Sequence, residues 1–335
     1  MKRLVILSLL AAAPVAADTL PGYDRFDVDA EHRSRPVAAS VWYPAAASTY
    51  RAPIGSGPIF EPVSAYMGPA VAQGEYPIVL LSHGSGGNAD ALGWVSSELV
   101  ARGAIVLAVN HPGSTSGDSS PRRSVDLAAR AADLSAALDA FLANPAFRDH
   151  VQADRIGVVG FSLGGTTALG LAGLRFDGAA QDARCAIGPD AADCGFFLRG
   201  GVVFADEPGF SADARDERIA RVVAIDPGFG GSVIAESLDD VSVSTTLVNL
   251  GEADRLPAVD VSHAGNGLAV RLPEVTYEVV SPASHFTFLA PCQPGAVEIL
   301  EEEGDDPICT DPAGVDRRAV HAELVEIIAA GLFWP

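Results

Sequence analysis

Gly160-Phe161-Ser162-Leu163-Gly164-Gly165 decides the reading of this chain. The apolar run Arg155-Ile156-Gly157-Val158-Val159 precedes it, and Thr166-Thr167-Ala168-Leu169-Gly170-Leu171-Ala172, a helical pattern, follows. A serine in Gly-x-Ser-x-Gly between a buried strand and a helix is the pattern of a nucleophile elbow. The flanking glycines let the backbone turn sharply and let strand and helix approach closely, so that the hydroxyl stands clear. An isolated match means little in a chain with 34 glycines. The strand–turn–helix context gives this one its weight over a plain helix N-cap serine.

Outward from the elbow, apolar runs alternate with helical patterns. Strands are expected at Tyr23–Ala30, Pro36–Tyr43, Pro77–Ser82, Ala104–Val109, Ile219–Ile225, Thr245–Leu250 and Val275–Val280. Helices are expected near residues 89–102, 124–142 and 316–331. Residues 44–76 read as a Gly/Pro/Ala-rich loop. Residues 176–217 break the alternation and read as an insertion, a lid or a pocket wall. Continuous apolar strands separated by helices imply an α/β chain with a mostly parallel sheet covered on both faces.

An acyl-transfer site needs a base, an acid and donors for an oxyanion. The base is expected late in the chain, and His285, in Ser281-Pro282-Ala283-Ser284-His285-Phe286, directly follows the last strand. His263, in an expected helix, and His321, in the terminal helix, have ordinary surface or core roles. Asp254, in Gly251-Glu252-Ala253-Asp254, is the favoured acid, because the turn aims its side chain inward. Asp226, one strand earlier in Ala224-Ile225-Asp226-Pro227, is the alternative, and Glu252 ranks third. The oxyanion donors are the Leu163 amide, which follows the nucleophile, and the Ser85 amide in Ser82-His83-Gly84-Ser85-Gly86-Gly87. His83 reads as a loop-packing residue, and His111, in Asn110-His111-Pro112-Gly113, as a rigid loop residue before a pocket residue.

Composition sets the compartment. Met1-Lys2-Arg3, an apolar stretch from Leu4 to Leu10 and a small-residue end at Val15-Ala16-Ala17 read as a signal peptide over residues 1–17, cut near Ala17. The remainder, 18–335, reads as a single exported domain, periplasmic or secreted, with no transmembrane segment. The formal net charge of −21 disfavours nucleic acid and anionic membrane surfaces as partners. Four cysteines in an exported chain favour disulfides, and of three possible pairings the local one, Cys185–Cys194 with Cys292–Cys309, is the simplest. No Cys/His cluster points to a metal.

These residues resemble α/β-hydrolases of the dienelactone-hydrolase-like group, related to platelet-activating-factor acetylhydrolases. The resemblance runs from about Arg35 to the end. It rests on Val41-Trp42-Tyr43-Pro44, Ser82–Gly87, Asn110–Gly113, the elbow, Gly251–Asp254, and His285-Phe286-Thr287-Phe288-Leu289 with Cys292. It implies the α/β-hydrolase fold and a serine carboxylesterase that works without a cofactor. It also implies a Ser162/Asp254/His285 triad with Ser85 and Leu163 as oxyanion donors. Dienelactone hydrolases proper use a Cys nucleophile where this chain has Ser162, and the acetylhydrolases take their acid one strand earlier, which keeps Asp226 open. The expected substrate is a small-molecule or lipid ester with a short or truncated acyl group. A polyester hydrolase, lipase or peptidase, and a non-catalytic binding protein of the same fold, are the alternatives.

Overall fold

The computed structural model describes residues 20–333. The leader expected at residues 1–17 lies outside the described residues.

Among the described residues twelve strands form, in chain order: β1 Gly22–Val28, β2 Val37–Tyr43, β3 Arg51–Ile54, β4 Val63–Met67, β5 Tyr76–Ser82, β6 Ile105–Val109, β7 Ser114–Thr115, β8 Asp118–Ser119, β9 Val151–Phe161, β10 Ile219–Ile225, β11 Ser244–Leu250 and β12 Val275–Val280. All except the β7–β8 hairpin join one sheet in the order β12-β11-β10-β9-β5-β6-β2-β1-β4-β3. The half from β6 to β12 is parallel, and β1, β2 and β3 bring in the antiparallel pairings. The loop expected at 44–76 supplies β3 and β4. Pro53 and flanking glycines hid them, and Pro53 is tolerated because β3 is the sheet's outermost strand.

Side chains alternate across the sheet with the period of two that a strand imposes. On β5, Ile78 and Leu80 join one core, and Val79 and Leu81 join the other. The first core includes Leu134 and Leu138 of α3 (Leu127–Ala143); the second includes Leu99 of α1 (Gly93–Ala101) and Ile328 of α10 (Arg317–Leu332). Between these lie α2 (Pro121–Ser124), α4 (Leu163–Leu171), α5 (Gly178–Ile187), α6 (Gly195–Arg199), α7 (Pro208–Ser211), α8 (Leu268–Arg271) and α9 (Ala296–Glu303). Aspartates start three of the helices. Asp126 accepts from the Ala129 amide at 2.9 Å, Asp177 from Ala180 at 3.1 Å and Asp316 from Arg318 at 3.0 Å. Each satisfies an amide that the helix itself leaves without a partner.

The stretch expected as an insertion holds α5, α6 and α7. The Cys185–Cys194 disulfide joins α5 to the start of α6, and Phe204, Phe210 and Phe229 pack on one another in the same core. A second disulfide joins Cys292 to Cys309. No helix among the described residues is long and apolar enough to cross a membrane.

Candidate active site

Ser162 sits between β9 and α4 with φ 55° and ψ −121°. A side chain at positive φ is strained, and the surroundings hold it there. The glycines explain how. A Cβ on Gly160 would lie 1.9 Å from the Gly164 carbonyl oxygen, and one on Gly164 would lie 2.0 Å from that of Ser82. Only glycine lets β9, α4 and the end of β5 come together in this way.

His285 opens a short turn, His285–Phe288, after β12. The turn is fixed from outside: the Ser284 amide donates to Thr287 Oγ1 at 3.0 Å, and that hydroxyl donates to Asp311 at 2.7 Å. The imidazole packs on Phe161, with ring centres 4.7 Å apart. Its Nε2 lies 3.2 Å from Ser162 Oγ, and its Nδ1 lies 2.9 Å from Asp226 Oδ2.

The acid beside the imidazole is therefore Asp226, not the favoured Asp254. Asp226 immediately follows β10, the neighbour of the elbow strand, and is fully buried. Its other oxygen accepts from Asn249 Nδ2 at 2.9 Å and from the Leu250 amide at 3.0 Å. Asp254 is exposed and lies in the turn after β11. That turn packs through its backbone: a Cβ on Gly251 would lie 2.4 Å from the Ala283 carbonyl oxygen. Arg255 clamps it through the Gly251 carbonyl and Asp260, at 2.9 and 3.0 Å, and Glu252 and Asp254 are left facing solvent. Asn249 was missed in the sequence. An asparagine between Val248 and Leu250, in the apolar half of the strand, is the available signal, and here it anchors the acid from β11.

The glycine loop after β5 approaches the serine closely; a Cβ on Gly84 would stand 3.2 Å from Ser162 Cβ. Within it, the Gly86 amide donates to the Ser114 carbonyl at 2.8 Å and the Gly87 amide to Gly84 at 3.2 Å. Among the described residues the Ser85 amide has no acceptor, and neither has the Leu163 amide, the first of α4. Of the other histidines, His263 lies in a turn rather than the expected helix. His321 stacks on Trp94 with centres 3.7 Å apart and donates to the Thr287 carbonyl. Burial, with Arg317 nearby, pulls its pKa down to about 4.

Ser162, His285, Ser85 and Leu163 border one cavity of about 910 Å³. Phe60, Phe196, Phe197, Phe229 and Phe286 supply apolar wall, so the 176–217 stretch is part of the enclosure. Asp193, Glu303, Asp305 and Asp306 bring negative charge to it. Asp193 Oδ2 is buried with no partner; Arg25 and Arg199 are also on the wall, Arg25 paired with Asp90, so acidic groups still outnumber basic ones there. Among the described residues no group of three His, Cys, Asp or Glu is placed to hold a metal ion.

A model of the alpha/beta hydrolase family matches residues 78–297. Among solved structures, a ferulic acid esterase from Streptomyces cinnamoneus aligns over 96% of this chain and 92% of its own, with TM-score 0.58 and 18% identity. A dienelactone hydrolase from Anabaena variabilis aligns over 93% and 99%, with TM-score 0.49 and 16% identity. At 18% identity the likeness to the esterase is one of fold. No curated protein matches the chain.

Proposed function

The chain belongs to the alpha/beta hydrolase family, and on that premise we propose that it is an exported serine carboxylesterase acting on short or truncated acyl esters. The observation that carries this reading is the run of contacts from Ser162 Oγ through His285 to Asp226, at 3.2 and 2.9 Å, on the wall of the large cavity. The two disulfides support export.

Ser162 Oγ attacks the ester carbonyl carbon while His285 Nε2 takes the hydroxyl proton. Asp226 holds the Nδ1 proton, so Nε2 is free to accept, and its charge stabilises the imidazolium. The electron pair displaced onto the carbonyl oxygen is received by the Ser85 and Leu163 amides, whose lack of protein acceptors favours this role. Collapse breaks the ester C–O bond, and the leaving alkoxide takes the proton from Nε2. Water then repeats the sequence on the acyl-enzyme, and Ser162 is regenerated.

The test is a series of p-nitrophenyl esters from acetate to palmitate, with an oxidised phospholipid alongside. The expected result is a burst of p-nitrophenol equal to the enzyme present, and a preference for the shorter acyl chains. Folded protein that hydrolyses none of them overturns the proposal.

A further inference from the structure

A second Ser–His–Asp set lies wholly inside the fold. His111 Nδ1 is 2.9 Å from Asp133 Oδ2, and Ser82 Oγ is 3.0 Å from His111 Nε2. All three residues have no exposed surface. No substrate reaches this hydroxyl, so the set is not a second active site. Its surroundings show another use.

Burial and the nearby Arg130 pull the His111 pKa down to about 4, so the ring is neutral. A neutral ring that donates from Nδ1 to Asp133 must accept at Nε2, from the Ser82 hydroxyl. Arg130, itself buried, donates to Thr167 Oγ1 of α4 at 2.9 Å and to the His83 carbonyl at 2.6 Å, and it also bonds Ser114. The His111 amide donates to His83 Nε2 at 3.2 Å. That bond fixes the other tautomer on His83, whose Nδ1–H donates to the Gly84 carbonyl at 2.7 Å.

The Gly84 carbonyl and the Ser85 amide belong to one planar peptide unit, and in a trans peptide they point in opposite directions. Holding the oxygen with the His83 ring therefore aims the Ser85 N–H the other way. We propose that the buried Asp133–His111–Ser82 set, with Arg130 and His83, is a brace that orients the Ser85 amide as an oxyanion donor. Arg130 and His83 are its positioning residues. The inference rests on the esterase reading for what the amide receives, and on the hydrogen bonds alone for what holds it.

Two variants test it. His83→Phe keeps a planar aromatic ring, though a larger one, and removes both nitrogens; Arg130→Met acts from outside the cavity. Both are checked for cooperative thermal unfolding. A misplaced donor is expected to lower kcat by about 10²-fold. KM is expected to stay nearly constant, and affinity for a boronic acid that forms a tetrahedral adduct to fall by a similar factor. Arg130→Lys, which restores the charge, is expected to recover part of kcat. Hydrogen exchange of the 83–87 amides is expected to quicken in both. Folded variants with wild-type kcat and wild-type boronic acid affinity overturn the proposal, as do loop amides that exchange as slowly as before. A wild-type protein inert towards every ester would instead refute the esterase reading, and loop exchange would still decide whether the brace exists.

Discussion

Asp226 is held on the oxygen that His285 does not use. Its Oδ1 accepts from Asn249 Nδ2 at 2.9 Å, and Oδ2 is left for the imidazole. Asn249 is itself fixed, donating to the Val259 carbonyl and accepting from the Val261 amide and the Tyr277 hydroxyl. The carboxylate is thus oriented by β11 although it is carried at the end of β10.

From that arrangement, Asp226→Asn lowers kcat by about 10⁴-fold, because the imidazole loses the partner that sets its tautomer. Asp254→Asn, in the exposed turn, stays within about twofold of wild type, as surface changes away from such features do. Steady-state kinetics on a p-nitrophenyl ester separate the two. A crippled Asp254→Asn with an active Asp226→Asn reverses the assignment.

The elbow glycines differ sharply in what they tolerate. Gly160→Ala and Gly164→Ala drive a methyl into backbone oxygens and destabilise the fold by about 3 kcal/mol or more. Gly170, inside α4, has nothing within 4 Å of the site of a new Cβ. Gly170→Ala stabilises by about 0.5–1 kcal/mol, since a mid-helix glycine loses that much to alanine. Urea unfolding of the three variants gives the order directly.

Stability falls as the solution is acidified from about pH 6.5 to 4. Buried His83, His111 and His321 have pKa values below the ordinary histidine value, the latter two at about 4. Between the unfolded and folded pKa values the unfolded chain binds more protons, so stability rises with pH there. His111 and His321 each contribute up to about 3 kcal/mol across that window, and His83 acts in the same direction. Asp133 acts lower down. Burial pushes its carboxyl up, but hydrogen bonds from His111, His32 and Arg33 outweigh burial and hold it below the usual range. Its stabilising contribution is present above about pH 4 and lost as pH falls further. Thermal unfolding across pH 3–8 checks this; a flat profile from pH 6.5 to 4 contradicts it.

The acidic cavity wall discriminates by charge. An ester with a free carboxylate on one arm reacts with kcat/KM about tenfold below its neutral methyl ester at low salt. Added salt narrows the gap. Asp193→Asn narrows it as well, because Asp193 carries no paired cation. Equal rates for the two esters at low salt count against this reading of the wall.

The parallel half of the sheet was legible because strands buried on both faces are continuous apolar runs, as at Ile78–Leu81 and Ile156–Val159. The elbow was legible because a close backbone approach leaves glycine as the only choice. β3 and β4 are short, and Pro53 with the Gly/Pro-rich stretch at 55–58 between them makes local composition speak for a loop. The acid was the harder case. Asp226 and Asp254 both follow strands, and what separates them is non-local: Asn249 on one side and the Ala283 carbonyl under Gly251 on the other. His83 and His111 read correctly as loop residues. Their joint hydrogen bonding with Arg130 and Asp133 depends on residues drawn from separate strands, loops and a helix, which no local pattern records.

The proposed esterase chemistry requires that Ser162 form a covalent bond during the reaction. Incubating the folded protein with a fluorophosphonate, followed by intact and peptide mass analysis, tests it most directly. One adduct per chain is expected, located on Ser162, lost in Ser162→Ala and slowed in Asp226→Asn. Absence of any adduct on folded wild-type protein, or an adduct that persists in Ser162→Ala, contradicts it.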